Sequence, residues 1–338
     1  MRPPFAAALP VARQLLTAAA RRLLPALGLT AAVAGNALAQ AAVDPNVAPR
    51  AAALERQGER QLATEMLGRY LAVAVDDGRA WFQLGRFYRI DAAEWHSRGH
   101  TGAPDAVIYL DFAVTALEQS ARLMVDSGVV YRAHVEVDRA VVFLEDSGWT
   151  ATREQFSWTA APPLPGYMIE LGMNLVRSCP AGGVLLTGDD LETTVVWHAL
   201  IAQRARPDLI TLRPGLYATD ARYRERLAAA LDVDPDLSVQ EALAEASDDR
   251  PICLAPGADA AALPSAEWRP VRLVRVDRDA PAPAEPLSLI SYVEGVRRGP
   301  SDWSRATRDV YGSAARWNEV LCGGLLRQLE VPPPACGQ

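Results

Sequence analysis

Residues 81–88 read Trp-Phe-Gln-Leu-Gly-Arg-Phe-Tyr, and the spacing of Trp81, Leu84, Gly85 and Tyr88 constrains the fold more than any other part of the chain. In an α-helix, residues three, four and seven positions apart share a face. Trp81, Leu84 and Tyr88 therefore form one apolar stripe. Gly85 lies beside it and, lacking a side chain, lets a second helix come close. A helix patterned this way cannot bury its stripe alone and must belong to a stacked set.

Residues 51–75 carry a second helical pattern, in which Ala63, Leu67 and Tyr70 stand four and then three positions apart. Asp76-Asp77-Gly78 supplies a turn before Trp81. The two patterns keep the register of a ~34-residue repeat. With the Trp-x2-Leu-Gly-x2-Tyr string they resemble the tetratricopeptide repeat. That resemblance implies helical hairpins stacked over residues 40–160. It gives Ala63, Trp81, Leu84, Gly85 and Tyr88 structural roles, and it implies a concave surface that holds a protein or peptide partner. The register slips after Tyr88. Residues 91–105, with Gly99, Gly102 and Pro104, read as an inserted loop, and residues 106–125 as the next helix, where Ala113, Leu117 and Ser120 restore the spacing. A further pair is expected over residues 129–144 and 150–156.

Residues 1–39 read as a secretory signal peptide, with Arg13, Arg21 and Arg22 ahead of an apolar run and Ala37-Leu38-Ala39 as a small-x-small cleavage site. The run is too short and alanine-rich to span a membrane comfortably. The expected product is periplasmic or secreted, with no transmembrane anchor after cleavage. Loss of the four arginines before Gln40 takes the net charge from -7 to -11. An acidic chain without a basic stripe is a poor nucleic-acid binder.

Every basic residue other than histidine is arginine. Without lysine there is no Schiff-base chemistry, no P-loop lysine and no lysine general base. The four cysteines, Cys179, Cys253, Cys322 and Cys336, are not spaced as zinc or thioredoxin motifs. Export makes disulfides available. Cys322 with Cys336 is the favoured pair, and Cys253, in an apolar strand, is as readily a buried thiol as a disulfide partner.

Ala160 to Gly166 is rich in proline and marks a boundary, after which the period changes. Residues 161–278 read as an α/β domain with a small parallel sheet. Strands are expected at 184–187, 209–212, 251–255 and 271–276, and helices at 167–177, 193–204, 220–231 and 238–246. Residues 279–338 read as a linker over 279–286 and then a helical segment from 300 to 329, with Ser301 as N-cap. The fold class is thus an all-α array followed by α/β.

Within the second half, Pro180 to Asp190, Trp197 and Arg206-Pro207-Asp208 resemble the soluble domain of bacterial membrane proteins of the protein O-mannosyltransferase-like class, over about an eighth of the chain. The aspartate loop, Asp189 to Thr194, is one residue longer than that family's pattern. The resemblance implies an extracytoplasmic domain of the kind found beside helical repeats; it does not imply mannosyl transfer.

Asp189 and Asp190 follow the first strand, where ligands bind in open parallel sheets. They are candidate ligand contacts, but the pattern favours one of them as helix cap or loop brace. Arg213 and Tyr217 follow the second strand and could face the same crevice. His96 and His100 stand four apart, but Gly99 argues against a helix and no metal is assigned to them. His134 reads as a core histidine and His198 as a helix-face residue. No catalytic residue and no cofactor is assigned. These features predict an exported, non-enzymatic interaction protein of the cell envelope, or alternatively a small-ligand or glycan-binding auxiliary of envelope glycosylation.

Overall fold

The computed structural model describes residues 44, 46–99, 103–260, 267–278, 285–297, 301–328 and 336. The expected signal peptide and most of the expected linker lie outside the described residues. Residues from Val47 onward form one compact unit, mostly helical, with a small mixed sheet. No described helix is long and apolar enough to cross a membrane.

Five helices come first: α1 (Val47–Arg56), α2 (Arg60–Leu71), α3 (Gly78–His96), α4 (Ala103–Arg122) and α5 (Asp126–Gln155). The single helix expected over residues 51–75 is two, because Gly58 takes φ +85° between α1 and α2. Asp77 caps α3, its Oδ1 accepting from the amides of Arg79 and Ala80, both at 3.0 Å. Ala63, Leu84 and Phe87 are buried in the first core, and Trp81 and Tyr88 pack against it half-buried. At Gly85 a Cβ would stand 2.5 Å from Leu117 Cγ, so α4 approaches α3 as the glycine predicts. The expected loop over 91–105 is shorter than the sequence suggests. Asp91-Ala-Ala-Glu-Trp-His continues α3, and His96 ends it. The helices expected at 129–144 and 150–156 are one run, interrupted at Gly148, whose φ is +81°.

After α5 the chain forms α6 (Gly166–Ser178), β1 (Val184–Leu186), α7 (Asp190–Trp197) with a π-helical turn (His198–Ala202), and β2 (Ile210–Leu212). Next come α8 (Pro214–Thr219), α9 (Ala221–Leu231), α10 (Val239–Ala246) and β3 (Ile252–Leu254). A hairpin of β4 (Arg269–Val271) and β5 (Val274–Val276) precedes α11 (Ile290–Arg297), α12 (Asp302–Ala315) and α13 (Glu319–Gln328).

The sheet order is β2-β1-β3-β5-β4. β1 lies parallel to β2 and β3, with Leu185 opposite Thr211 and Cys253. β1, α7 and β2 make the expected βαβ unit. The sheet is nevertheless mixed rather than parallel, since the stretch expected as one strand over 271–276 is part of an antiparallel hairpin. The segment expected as one helix over 300–329 is α12 and α13. Ser301 does cap α12, accepting from the Ser304 amide at 3.1 Å.

One continuous core runs from Val130 in α5 through the sheet to Leu325. Packing therefore crosses the proline-rich stretch at residues 160–166: Trp149 of α5 meets Trp197 of α7 edge-on, ring centroids 5.7 Å apart. Cys322 pairs with Cys336 as expected. Cys253 is not a free thiol but pairs with Cys179, and no cysteine is free.

Candidate functional site

A cavity of about 1040 Å³ opens between α3, α4 and α5 on one side and the segment from Arg213 to Arg222 on the other. Leu110, Val141, Val142 and Leu216 give it an apolar floor. Its polar wall holds Arg86, Arg89, Arg98, Arg213 and Arg222, with Glu55, Asp138, Glu145, Asp220 and His96 among them.

The arginines are held in place by acids. Arg86 Nη2 donates to Glu55 Oε2 at 3.2 Å, while its Nε is buried with no hydrogen-bond partner. Arg89 Nε donates to Asp138 Oδ2 at 2.6 Å and its Nη1 to Asp190 Oδ2 at 2.9 Å. Burial works against the charged form of Arg89, but Asp138 and then Asp190 outweigh it and hold its pKa above the ordinary value. Arg98 stacks on Trp95, 3.9 Å from the ring centre. Trp95, expected in a loop, is part of α3.

Of the four residues expected at the carboxyl ends of the strands, the structure brings two together and separates two. Asp189 is the N-cap of α7, its Oδ1 accepting from the Glu192 amide at 2.8 Å. Asp190 is an ion-pair partner of Arg89 and, at 3.7 Å, of Arg213. Burial pushes the Asp190 carboxyl up, but Arg89, His134 and Arg213 outweigh it and the net shift is downward. Arg213 does line the cavity. Tyr217 does not: its side chain is wholly buried in the core, its hydroxyl is without a partner, and burial raises its pKa.

The group that sequence reasoning missed is His96, Glu145 and Asp220. Nε2 of His96 lies 2.9 Å from Glu145 Oε1 and 3.1 Å from Asp220 Oδ2. Glu145 belongs to α5, just before the Gly148 break, and only 3% of its side chain is exposed. Asp220 caps α9, its Oδ1 accepting from the Tyr223 amide at 2.9 Å, which leaves Oδ2 facing His96. Asp220 and then Glu145 raise the His96 pKa to about 10. Burial would raise the Asp220 carboxyl, but His96 and the Tyr223 amide bring it below the ordinary value. Sequence alone gives no sign of the cluster, because its members come from three helical segments far apart in the chain.

Two other histidines behave oppositely. His134, as expected, is a core residue, with Nδ1 2.5 Å from Thr194 Oγ1 and its ring against Tyr131 and Trp303. Burial, followed by Arg89, lowers its pKa to about 4. His198 is 5% exposed in the π-helical turn, edge-on to Trp158, and burial lowers its pKa to about 4 as well. A depressed folded-state pKa means that the unfolded chain binds the proton first. Each histidine thus contributes stability that is complete above about pH 6.5 and lost as the pH falls through about 4. The loss is at most roughly 3 kcal/mol apiece. Urea titrations between pH 7 and pH 4 are expected to show a steeper fall for the native chain than for His134→Asn or His198→Asn. Equal slopes would show that neither ring is neutral in the fold.

Compared with protein-family models, with curated proteins and with solved structures, the chain matches none, so the cavity and its side chains are what its function must be read from.

Proposed function

We propose that this chain is an exported, non-enzymatic binding protein of the cell envelope, and that its cavity holds a small acidic ligand such as a sugar acid. One observation carries the reading: a large cavity with an apolar floor and a wall of oriented arginines, one of them with a buried, unpartnered Nε–H. A guanidinium donates up to five hydrogen bonds in a fixed fork suited to carboxylate and phosphate. Arg89 is engaged at all three nitrogens by Asp138 and Asp190, whereas Arg213 stands 3.7 Å from Asp190 and retains donors for a ligand. The likeness of Pro180 to Asp208 to the mannosyltransferase-like class supports an envelope setting, and a glycan component is the natural source of such acids.

Galacturonate and galactose, which differ only in the carboxylate, test this by calorimetry within a panel of paired acidic and neutral sugars. The acidic member of a pair is expected to bind at least tenfold more tightly. Arg213→Gln and Arg86→Gln should each weaken it about tenfold, the worth of one charge-assisted hydrogen bond. Asp189→Asn should change nothing, since asparagine caps α7 equally well. Equal binding of acidic and neutral members, or no effect of either arginine change, sinks the reading.

A second reading, a tetratricopeptide-like scaffold for a protein partner, is favoured by the outer face of α4. Val107, Ile108 and Phe112 are 41%, 50% and 46% exposed there, more than a solvated helix face requires. Partner capture lost on Phe112→Asp but retained in Arg213→Gln would place function on the helices instead.

A further inference from the structure

We infer that His96 Nε2, Glu145 Oε1 and Asp220 Oδ2 form a binding site for one first-row divalent metal ion of the zinc class on the wall of the cavity. The three ligand atoms lie within 4.8 Å of one another, the only such group among the described residues. The separations from Nε2, 2.9 and 3.1 Å, match the edges of a coordination shell. Atoms bound about 2.1 Å from a common centre stand roughly 3.0–3.4 Å apart in octahedral or tetrahedral geometry.

Without metal the imidazole is a protonated group lying between the two carboxylates; a metal ion would displace its proton. An N–H shared between two acceptors makes two weakened bonds, and here neither contact has the angle of a good hydrogen bond. Nε2 of His96 and Oε1 of Glu145 are accordingly both buried without a hydrogen-bond partner. Glu145 is 97% buried and aims Oε1 at the other two ligands, so an acidic side chain has been carried into the fold with one oxygen unsatisfied. Such a group costs free energy unless a cation meets it. A metal ion would accept all three lone pairs at once.

The surroundings are those of a supported site. Asp220 is fixed by its capping bond to Tyr223. Arg226 Nε donates to the Glu145 carbonyl at 3.0 Å, and Arg222 Nη1 stands 3.9 Å from Glu145 Oε2. Partners of this kind orient ligands and sharpen affinity. One imidazole with two carboxylates suits zinc, iron or manganese better than magnesium or calcium, which take oxygen almost exclusively. The site stands independently of the acidic-ligand reading, and its test uses the metal alone.

Untagged full-length chain, stripped with chelator, is titrated with Zn²⁺ by calorimetry and with Co²⁺ by visible absorption. One equivalent is expected to bind at micromolar Kd or tighter, with Co²⁺ giving ligand-field bands. Glu145→Gln and Asp220→Asn are expected to weaken binding at least tenfold each, with native circular dichroism confirming the fold. Asparagine keeps the cap at position 220, so that variant folds even if the glutamine at 145 does not. Failure of the native chain to take up either ion, or uptake unchanged in both variants, overturns the site.

Discussion

Gly172→Val is expected to cost about 4 kcal/mol, near the top of the range for single substitutions. Gly172 lies inside α6 where that helix crosses α7. A Cβ there would stand 2.2 Å from the Val195 carbonyl oxygen and 2.8 Å from its carbon. Both atoms are backbone, so no side-chain rotation relieves the clash. One helix must move, and α7 is anchored at Asp189, Asp190 and Thr194. Helix propensity acts the other way but is smaller, since glycine in a helix interior costs only about 1 kcal/mol relative to alanine. Gly68 in α2 is the control, because nothing lies within 4 Å of a Cβ there. Gly68→Ala should gain about 0.5–1 kcal/mol. Urea midpoints measured on the full chain decide it. A Gly172→Val midpoint at or above the native value would mean that α6 and α7 do not cross as described.

The helical half was legible because its signal is periodic and local. Trp81, Leu84, Gly85 and Tyr88 specify a stripe and a close approach, and Leu117 of α4 is what comes close. The same kind of local evidence placed β1 beside β2. The hairpin was hidden for a physical reason. Val271 to Val276 is rich in valine and reads as one strand, but a turn falls on Arg272, which takes φ +54° without a glycine or asparagine to announce it. Density of glycine and proline from Gly99 to Pro104 led to too long a loop, although Asp91 to His96 has ordinary helix formers. That error mattered, because it removed His96 from the helix that aims it at Glu145 and Asp220. The cavity itself could not be read at all. Its wall joins residues from α3, α5 and the α8–α9 connection, and only tertiary packing brings them together. Asp189 takes the capping role weighed for that loop, and Asp190 pairs with Arg89 and Arg213.

Reduction of Cys179–Cys253 is expected to lower stability by about 4 kcal/mol, from the loop-closure entropy that the crosslink removes from the unfolded chain. The bond joins positions 74 residues apart, one ending α6 and the other at the middle of β3. It therefore closes a loop containing β1, α7, β2, α8, α9 and α10. Cys322–Cys336 spans only 14 residues and is worth about 3 kcal/mol by the same reasoning. Both sulfurs of the longer bond are fully buried, and a Cβ on Gly183 would lie 2.5 Å from Cys179 Sγ, so the chain has shaped itself around that sulfur. Cys179→Ala with Cys253→Ala is the clean comparison, because serine would add unpaired hydroxyls to the core. The urea midpoint of the native chain should fall on adding reductant and that of the double variant should fall less, by the share that Cys322–Cys336 contributes. Disulfides persist in oxidising compartments, and this bond is one support for the export proposed above. If the two chains respond to reductant alike, Cys253 is a thiol after all and the case for that compartment loses its support from the core.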